Sequence, residues 1–244
     1  MTDVLDSLIA VWESRALPLP APAWAVAAAV GLVMVFYGRL WRWTRWWLTT
    51  VHEAGHAIVG RLTGRRRQSI HLHARSGGTT WSIGRAGWRS VPGTLAGYPA
   101  PAWLGAGLLA AAATGRASQA LLVAAVVGLL LLTRARNARA VLAYATVTAV
   151  AAAGVWQSMS EPLPPPLTMA LVALGIASLV GAIRDWAAER RVRRRGEITD
   201  AVILSSSTRL PATAWWLIMG TAILAAAVPL ALLVPWSQLP LTIG

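Results

Sequence analysis

The sequence predicts an all-α integral membrane protein with about six to seven transmembrane helices and one small β-hairpin. Hydrophobic residues make up 56% of the chain and charged residues only 13%, about half of the charged share of a soluble domain. The apolar residues lie in long segments, and a short alternating stretch between two of them is typical of paired strands. We therefore treat residues 1–244 as a single polytopic domain and expect a multi-pass location in the cell membrane.

Hydropathy predicts seven candidate spans, several of them shorter than the roughly 20 residues that a perpendicular helix needs. Small residues are frequent within these segments, which permits close packing of helices. The candidate spans are residues 23–38, 46–62, 93–114, 117–133, 138–156, 167–183 and 212–235. The proline-rich sequence Glu161–Pro166 is predicted to be a stiff connection inside the domain and not a domain boundary.

All 22 basic residues are arginines, and the net charge is +13. In a soluble protein this charge would point to nucleic acid. Here the arginines lie between apolar segments, where topology and anionic lipid headgroups account for them. We therefore expect the lipid bilayer as a partner and no nucleic acid. The positive-inside rule places both arginine-rich connections, residues 61–92 and 184–211, in the cytoplasm, and the second of them leads to the last helix.

A helix predicted over residues 43–63 carries the sequence His52-Glu53-Ala54-Gly55-His56 within an apolar run. Residues four apart share one face of a helix, so the two imidazoles can bind one metal ion. Glu53 lies beside this face and can take the proton of a water molecule. The pattern H-E-x-x-H is expected by chance only about 0.001 times in a chain of this composition. The plain alternative is a pair of core histidines that hydrogen-bond to backbone.

The segment 64–92 is predicted to contain the β-hairpin. Gln68 to His73 alternates between polar and apolar residues, and Gly77-Gly78 reads as a turn before a second strand, Thr79 to Ile83. The exposed edge of a hairpin can pair with an added strand. Next to a metal site, such an edge could hold a peptide segment extended, and we expect Gly78 and Thr79 to contact that segment.

The chain contains no cysteine, so zinc must be held by histidine and carboxylate, and a catalytic zinc needs a third protein ligand. We favour Asp200 because it lies in an apolar segment, Ile198 to Leu204; the alternative for Asp200 is a helix N-cap. His71 and His73 share one face of a strand and remain alternatives, although strand histidines near arginines are more often surface residues. Three further carboxylates lie among arginines and are expected to form solvated ion pairs: Asp185, Glu189 and Glu197.

These residues resemble the site-2 protease group of intramembrane zinc metallopeptidases, and the closer likeness is to its short bacterial members. The likeness spans residues 45 to 220. The sequences that carry it are His52 to Ala57, Thr63-Gly64, Ser76 to Thr80, Ala96 to Pro101 with Gly105, Arg136-Asn137, Thr199 to Ala201, and Thr208 to Pro211 with Trp215.

The resemblance implies a zinc metalloendopeptidase that hydrolyses peptide bonds of transmembrane protein substrates within or near the bilayer. It implies that His52 and His56 bind zinc and that Glu53 is the catalytic general base. The third ligand implied is an aspartate on a later helix, which here matches Asp200. Better-studied members carry that aspartate in a Leu-Asp-Gly or Asn-Pro-x-Asp-Gly sequence, and this chain has neither.

Asn137 is the only asparagine in the chain and follows a predicted span. Its amide could donate a hydrogen bond to a developing oxyanion. A cap at the end of a span is an equally good interpretation.

Two other function classes remain open from the sequence. One is a non-catalytic multi-span protein with a structural or vestigial metal site, which would fill all four coordination positions. The other is a transporter whose intramembrane histidine and glutamate carry protons or metal ions. A transporter is expected to show repeated halves and charged residues in several helices, and the sequence shows neither. No pattern indicates an oligomeric state.

Overall fold

The structure is a computed structural model that describes residues 2–74, 77–84 and 87–233. Its helices are α1 (Thr2–Glu13), α2 (Ala21–Phe36), α3 (Gly38–Leu62), α4 (Val91–Leu95), α5 (Pro99–Ala113), α6 (Ala117–Leu132), α7 (Ala138–Ser160), α8 (Pro165–Arg194), α9 (Asp200–Ser207), α10 (Ala212–Leu224) and α11 (Ala227–Leu233). Its strands are β1 (Arg66–Leu72) and β2 (Gly78–Ile83). The predicted helical class with a small hairpin directly after the H-E-x-x-H helix is confirmed. Ser76 and residues 234 and 235, on which predictions drew, lie outside the described residues.

Helices occupy all of the predicted apolar segments, but few are long enough to cross a membrane. Within the described part of the chain, three segments have the length and apolarity of a span: α7, α8, and Ala212–Leu232, which runs through α10 and most of α11. The helices α2 and α3 together would make a fourth, although they are bent by 92°. The predicted count of six to seven spans is therefore not confirmed.

The number of candidate spans is lower than predicted partly because α5 and α6 are short. These helices are apolar but contain only 15 and 16 residues, which corresponds to roughly 23 Å of helix against a hydrocarbon thickness of about 30 Å. Pro99 begins α5, and Gly115, with a φ of 70°, separates α5 from α6. A hydropathy window measures how apolar a segment is and does not register where its helix stops.

The two strands form an antiparallel hairpin in which Ile70 lies opposite Thr80 and Leu72 lies opposite Gly78. The other edge of β1 is covered by the connection between α6 and α7. The Ile70 N–H donates to the Arg134 carbonyl at 2.9 Å, and the Arg136 N–H donates to the Ile70 carbonyl at 3.0 Å. The outer edge of β2 has no strand beside it in the described residues.

Asn137 closes the covered edge of β1. Its Nδ2 donates to the Leu72 carbonyl at 2.8 Å, while its Oδ1 accepts from the Leu72 N–H at 3.3 Å and from the Ala140 N–H at 3.0 Å. The side chain therefore caps the start of α7 and continues the hydrogen bonding of β1. The interpretation of Asn137 as a helix cap is the one that the structure shows, and its amide group is already engaged there.

Helix α3 is held from two sides at the level of its motif. Tyr144 of α7 donates its hydroxyl to the Thr50 carbonyl at 2.9 Å, and Trp47 donates its indole N–H to Ser178 of α8 at 3.0 Å. Both partners are buried, so these hydrogen bonds form where water does not compete. They fix the rotation of α3 about its axis, and this rotation decides where the histidines point.

Two tryptophans join α8 to α10, the helices on either side of α9. The rings of Trp186 and Trp216 stack with centroids 4.3 Å apart and an interplanar angle of 12°. Each indole N–H donates to the backbone carbonyl of the other tryptophan, at 2.8 and 3.0 Å. The guanidinium of Arg190 lies 5.0 Å from the ring centroid of Trp216. These contacts hold α8 and α10, which flank α9 in the sequence, against each other.

We expect Trp216→Phe to lower the midpoint of thermal unfolding by about 2–4 °C. The phenyl ring can still stack, but the hydrogen bond to the Trp186 carbonyl is lost, at about 1 kcal/mol. Thermal unfolding of the purified protein in detergent measures this. The matched control is Trp156→Phe, because Trp156 is 75% exposed; equal shifts for both variants would contradict a specific role of the pair.

Candidate metal centre

Three side chains from two distant parts of the chain converge at one point. His52 and His56 belong to α3, and Asp200 is the first residue of α9. The Nε2 atoms of the two histidines are 3.0 Å apart, and Asp200 Oδ2 lies 3.2 Å from His52 Nε2 and 3.3 Å from His56 Nε2. Two ligands of a tetrahedral zinc ion, each at about 2.0–2.1 Å from it, are about 3.4 Å apart. The triangle of donor atoms has nearly the dimensions of one face of such a site.

The hydrogen bonding around these atoms also fits a metal ion. Asp200 Oδ2 is buried and has no hydrogen-bond partner within the described part of the chain. The Nδ1 of His56 lies 2.8 Å from the Gly93 carbonyl oxygen, which can only accept a hydrogen bond. His56 can therefore donate a hydrogen bond from Nδ1, which leaves Nε2 available as a ligand, as in metal-binding histidines. The group His52, His56 and Asp200 could hold a metal ion.

Asp200 carries the negative charge of this group. Burial raises the pKa of its carboxyl, but the neighbouring His56 and His52 more than offset this effect and hold the pKa below its ordinary value. The carboxylate is therefore ionised through the neutral pH range, which is the form that binds a metal. Thr199, and not Asp200, is the N-cap of α9, so the alternative interpretation of Asp200 as a cap is wrong.

Gly97 leaves the space in front of the imidazoles open. A Cβ atom at this position would lie 2.5 Å from His56 Nε2 and 2.6 Å from His52 Nε2. Gly55 permits a similarly close approach of the two backbones, because a Cβ there would lie 2.7 Å from the Ala96 carbonyl oxygen. Tyr98, which follows Gly97, packs edge to face on the His52 ring with a centroid distance of 4.9 Å. The connection between α4 and α5 thus borders the metal face of α3.

Glu53 is buried beside the triad, with 3% of its surface exposed. Thr80 of β2 donates its hydroxyl to Glu53 Oε2 at 2.6 Å. Gly78 lies directly against the same carboxylate, since a Cβ on Gly78 would be 2.5 Å from Glu53 Cγ. The hairpin strand therefore fixes the orientation of the Glu53 side chain, and Thr80, which the sequence analysis did not single out, is the residue that holds it.

A cleft of about 850 Å³ brings the triad, Glu53 and the outer edge of β2 together. Ile70 and Leu72 direct their N–H and C=O groups away from β2, toward residues 134–137. In an antiparallel sheet, two residues that lie opposite each other either both form hydrogen bonds across the pair or both point their N–H and C=O groups away from it. The N–H and C=O groups of Thr80 and Gly78 therefore point outward along the cleft. Thr79 lines the same cleft.

The other predicted site residues lie apart from this centre. Asn137 is not among the residues that line the cleft. His73 Nε2 lies 3.1 Å from Thr79 Oγ1, and His71 Nδ1 is buried without a hydrogen-bond partner in the described residues. Neither histidine belongs to the group that could hold a metal ion.

Asp185 and Glu189, two of the carboxylates near the arginines, differ in their surroundings. Asp185 forms an ion pair with Arg45 at 3.4 Å, with part of each side chain exposed. Glu189, expected to be solvated, is only 1% exposed and lines the cleft. Arg190 and Arg191, which follow Glu189 directly, are exposed, so a position next to arginines in the sequence did not predict the burial of Glu189.

Comparison with known proteins identifies a peptidase family. The sequence matches the family described as Peptidase M50B-like over residues 25–230, which is well over half of the chain and includes both α3 and α9. No curated protein and no solved structure gives a significant match. The family and the long apolar helices identify a membrane protein. The resemblance to the site-2 proteases is confirmed, and the chain belongs to the Peptidase M50B-like family.

Proposed function

We propose that the protein is a zinc endopeptidase that hydrolyses peptide bonds of transmembrane protein substrates within or near the cell membrane. One observation carries this proposal: the three donor atoms of His52, His56 and Asp200 converge in the same cleft as the Glu53 carboxylate. The peptidase family supports the reaction class. The identity of the metal as zinc, the endopeptidase type and the substrate class go beyond the family match and are our proposal.

The proposed zinc ligands are Nε2 of His52, Nε2 of His56 and Oδ2 of Asp200. The described residues offer three donors at this point, and a tetrahedral ion then keeps one open position, as catalytic sites do. This favours an enzyme over a structural metal site, which would fill all four positions. When bound there, zinc would polarise a carbonyl oxygen and lower the pKa of a water molecule from about 15.7 toward about 7.

Glu53 is the proposed general base. Its neighbour His52 is a metal ligand, and the two residues line one cleft, so the carboxylate can accept a proton from water and return it to the leaving amine. The Thr80 hydroxyl occupies one lone pair of Oε2, and this contact holds the side chain while Oε1 remains for proton transfer. A buried acceptor with a fixed rotamer is already oriented for the reaction.

The outer edge of β2 is the proposed binding site for the substrate backbone. A peptide segment that adds to this edge is extended, and its carbonyl groups are accessible, whereas an intact helix shields them. Arg65 limits the available edge, because its Nη2 donates to the Ser82 carbonyl at 3.1 Å. Gly78 and Thr80 are therefore the residues of β2 that would pair with the substrate, with Thr79 between them at the cleft.

Hydrolysis also needs water, and the cleft has the polar groups to hold it. Arg45, Asp185 and Arg65 line it together with the triad. Charged groups at membrane depth face a water-filled cavity or one another. We propose that the cleft opens toward the cytoplasm, on the side of the two arginine-rich connections.

Replacement of Glu53 by glutamine tests the catalytic role directly. Glutamine keeps the shape and still accepts the Thr80 hydroxyl, but it cannot take a proton. We expect zinc content equal to the wild type and cleavage of a single-span membrane protein, with glycine and proline near the middle of its span, reduced by at least about 100-fold. Elemental analysis and gel-based cleavage measure the two quantities.

The control for this experiment is Glu161→Gln, at the exposed C-cap of α7. It should cleave at the wild-type rate. Cleavage that persists unchanged in Glu53→Gln, or a wild-type protein without zinc, would rule out the proposed enzyme.

Removal of a single ligand tests the metal centre. We expect about one zinc ion per wild-type chain and a large loss in His56→Ala and Asp200→Ala, since each removes one of three donors. His73→Ala is the matched control, and it should keep its zinc because His73 lies outside the triad. Zinc measured after dialysis against a weak chelator would show the difference; loss in His73→Ala alone would contradict the assignment.

A side chain at position 78 should disturb the base without removing the metal. In Gly78→Ala the new methyl group meets the Glu53 carboxylate, so we expect kcat to fall by about tenfold or more, as is typical when a general base is displaced. Zinc content should stay at the wild-type level. Gly107→Ala is the control, because a Cβ atom there meets nothing within 4 Å; an equal loss in both variants would speak against this contact.

A further inference from the structure

Glu189 of α8 is a buried carboxylate that the proposed reaction does not use. Only 1% of it is exposed. Its Oε1 accepts a hydrogen bond from Thr199 Oγ1 at 2.5 Å, while its Oε2 is buried with no hydrogen-bond partner in the described part of the chain. Burial of a carboxylate with incomplete hydrogen bonding is costly. The hydrogen bond from Thr199 is the contact in the described residues that partly offsets this cost.

Thr199 is the residue directly before Asp200 and the N-cap of α9. A threonine at this position ordinarily uses its side-chain oxygen to accept a hydrogen bond from the first turn, which stabilises a helix by about 1 kcal/mol. Among the described residues, Thr199 makes no such side-chain cap, and its hydroxyl instead donates to Glu189 on another helix. A local contact is thus replaced by one that ties the start of α9 to α8.

The hydrogen bond between Thr199 and Glu189 lies one residue from Asp200 and can therefore affect the metal centre. Helix α9 contains only eight residues, and its other face packs through Ala201 and Leu204 on Trp215 and Met219. Asp200 Oδ2 must lie within about 3.3 Å of two imidazole nitrogens at once. Apolar packing on the far face allows the first residue of a short helix to shift. A hydrogen bond from the adjacent residue, Thr199, restricts this shift.

We propose that Glu189 is a positioning residue that holds Asp200 at the metal centre through Thr199. This inference rests on the metal-binding part of the proposed function. Glu189 acts through the backbone of residues 199 and 200 and does not itself bind the ion. Loss of the contact should therefore weaken metal binding by letting the third ligand move, while His52 and His56 stay in place.

The test measures the zinc affinity of the purified full-length protein in detergent by competition with a chromogenic chelator. We expect Glu189→Ala and Thr199→Val each to raise the Kd for zinc by about tenfold, the lower end of the effect of residues behind metal ligands. The double variant should be no weaker than either single variant, since both remove the same hydrogen bond. Glu189→Gln and Thr199→Ser keep an acceptor and a hydroxyl and should restore affinity to near the wild-type value.

Ser118→Ala is the matched control for lost stability. It removes a buried hydrogen bond of 2.9 Å to Ser158, between α6 and α7, and neither serine lines the cleft. It should lower the unfolding midpoint about as much as the Glu189 and Thr199 variants and leave the zinc affinity unchanged. A fall in zinc affinity that follows the unfolding midpoint in all three variants would overturn the positioning role.

The remaining outcomes separate this inference from the proposed function. A wild type that binds zinc while Glu189→Ala and Thr199→Val bind it equally well overturns the positioning role alone. Additive losses in the double variant overturn it too, because they show that the two side chains act independently. A wild type without zinc overturns the metal centre itself. If Glu189→Ala does not fold, Thr199→Val carries the same test, because valine nearly preserves the volume of threonine.

Discussion

The structure depends on a close approach of three atoms that carry lone pairs. Two imidazole nitrogens and a carboxylate oxygen lie 3.0–3.3 Å from one another in a partly buried position. Without a cation or shared protons between them, such an arrangement is unfavourable, because the partial negative charges of the three atoms repel one another at this distance. The surrounding elements hold these atoms together, and the group could bind a positive charge.

Helix α3 is the element around which the site is built, and each side of it has a separate task. The connection that contains Gly97 borders the metal face and leaves room for an ion. The strand β2 covers Glu53 through Thr80. Tyr144 and Ser178 fix the helix from the opposite sides by buried hydrogen bonds. A one-turn motif therefore becomes a site through contacts from four other elements.

The two edges of the hairpin differ in how they are covered. The edge of β1 is consumed by residues 134–137, where Asn137 supplies the last hydrogen bonds. The edge of β2 stays open toward the cleft, and Arg65 ends it at Ser82. An open edge would ordinarily be a site for non-specific pairing. Here it is short and adjoins the buried Glu53 carboxylate, which suits the proposed binding of an extended chain over a limited distance.

The sequence by itself determined the features that depend on near neighbours: the two histidines one turn apart, the hairpin after them, and the helical segments. The predicted Gly77-Gly78 turn is displaced, because Gly78 already belongs to β2 and pairs with Leu72. Asp200 could be favoured only by elimination and resemblance, because it lies far along the chain from His56. The hydrogen bond from Thr80 to Glu53 and the burial of Glu189 were decided by tertiary structure alone. Periodicity and turn chemistry act over a few residues, whereas burial, helix ends and ligand convergence depend on which distant segments pack together.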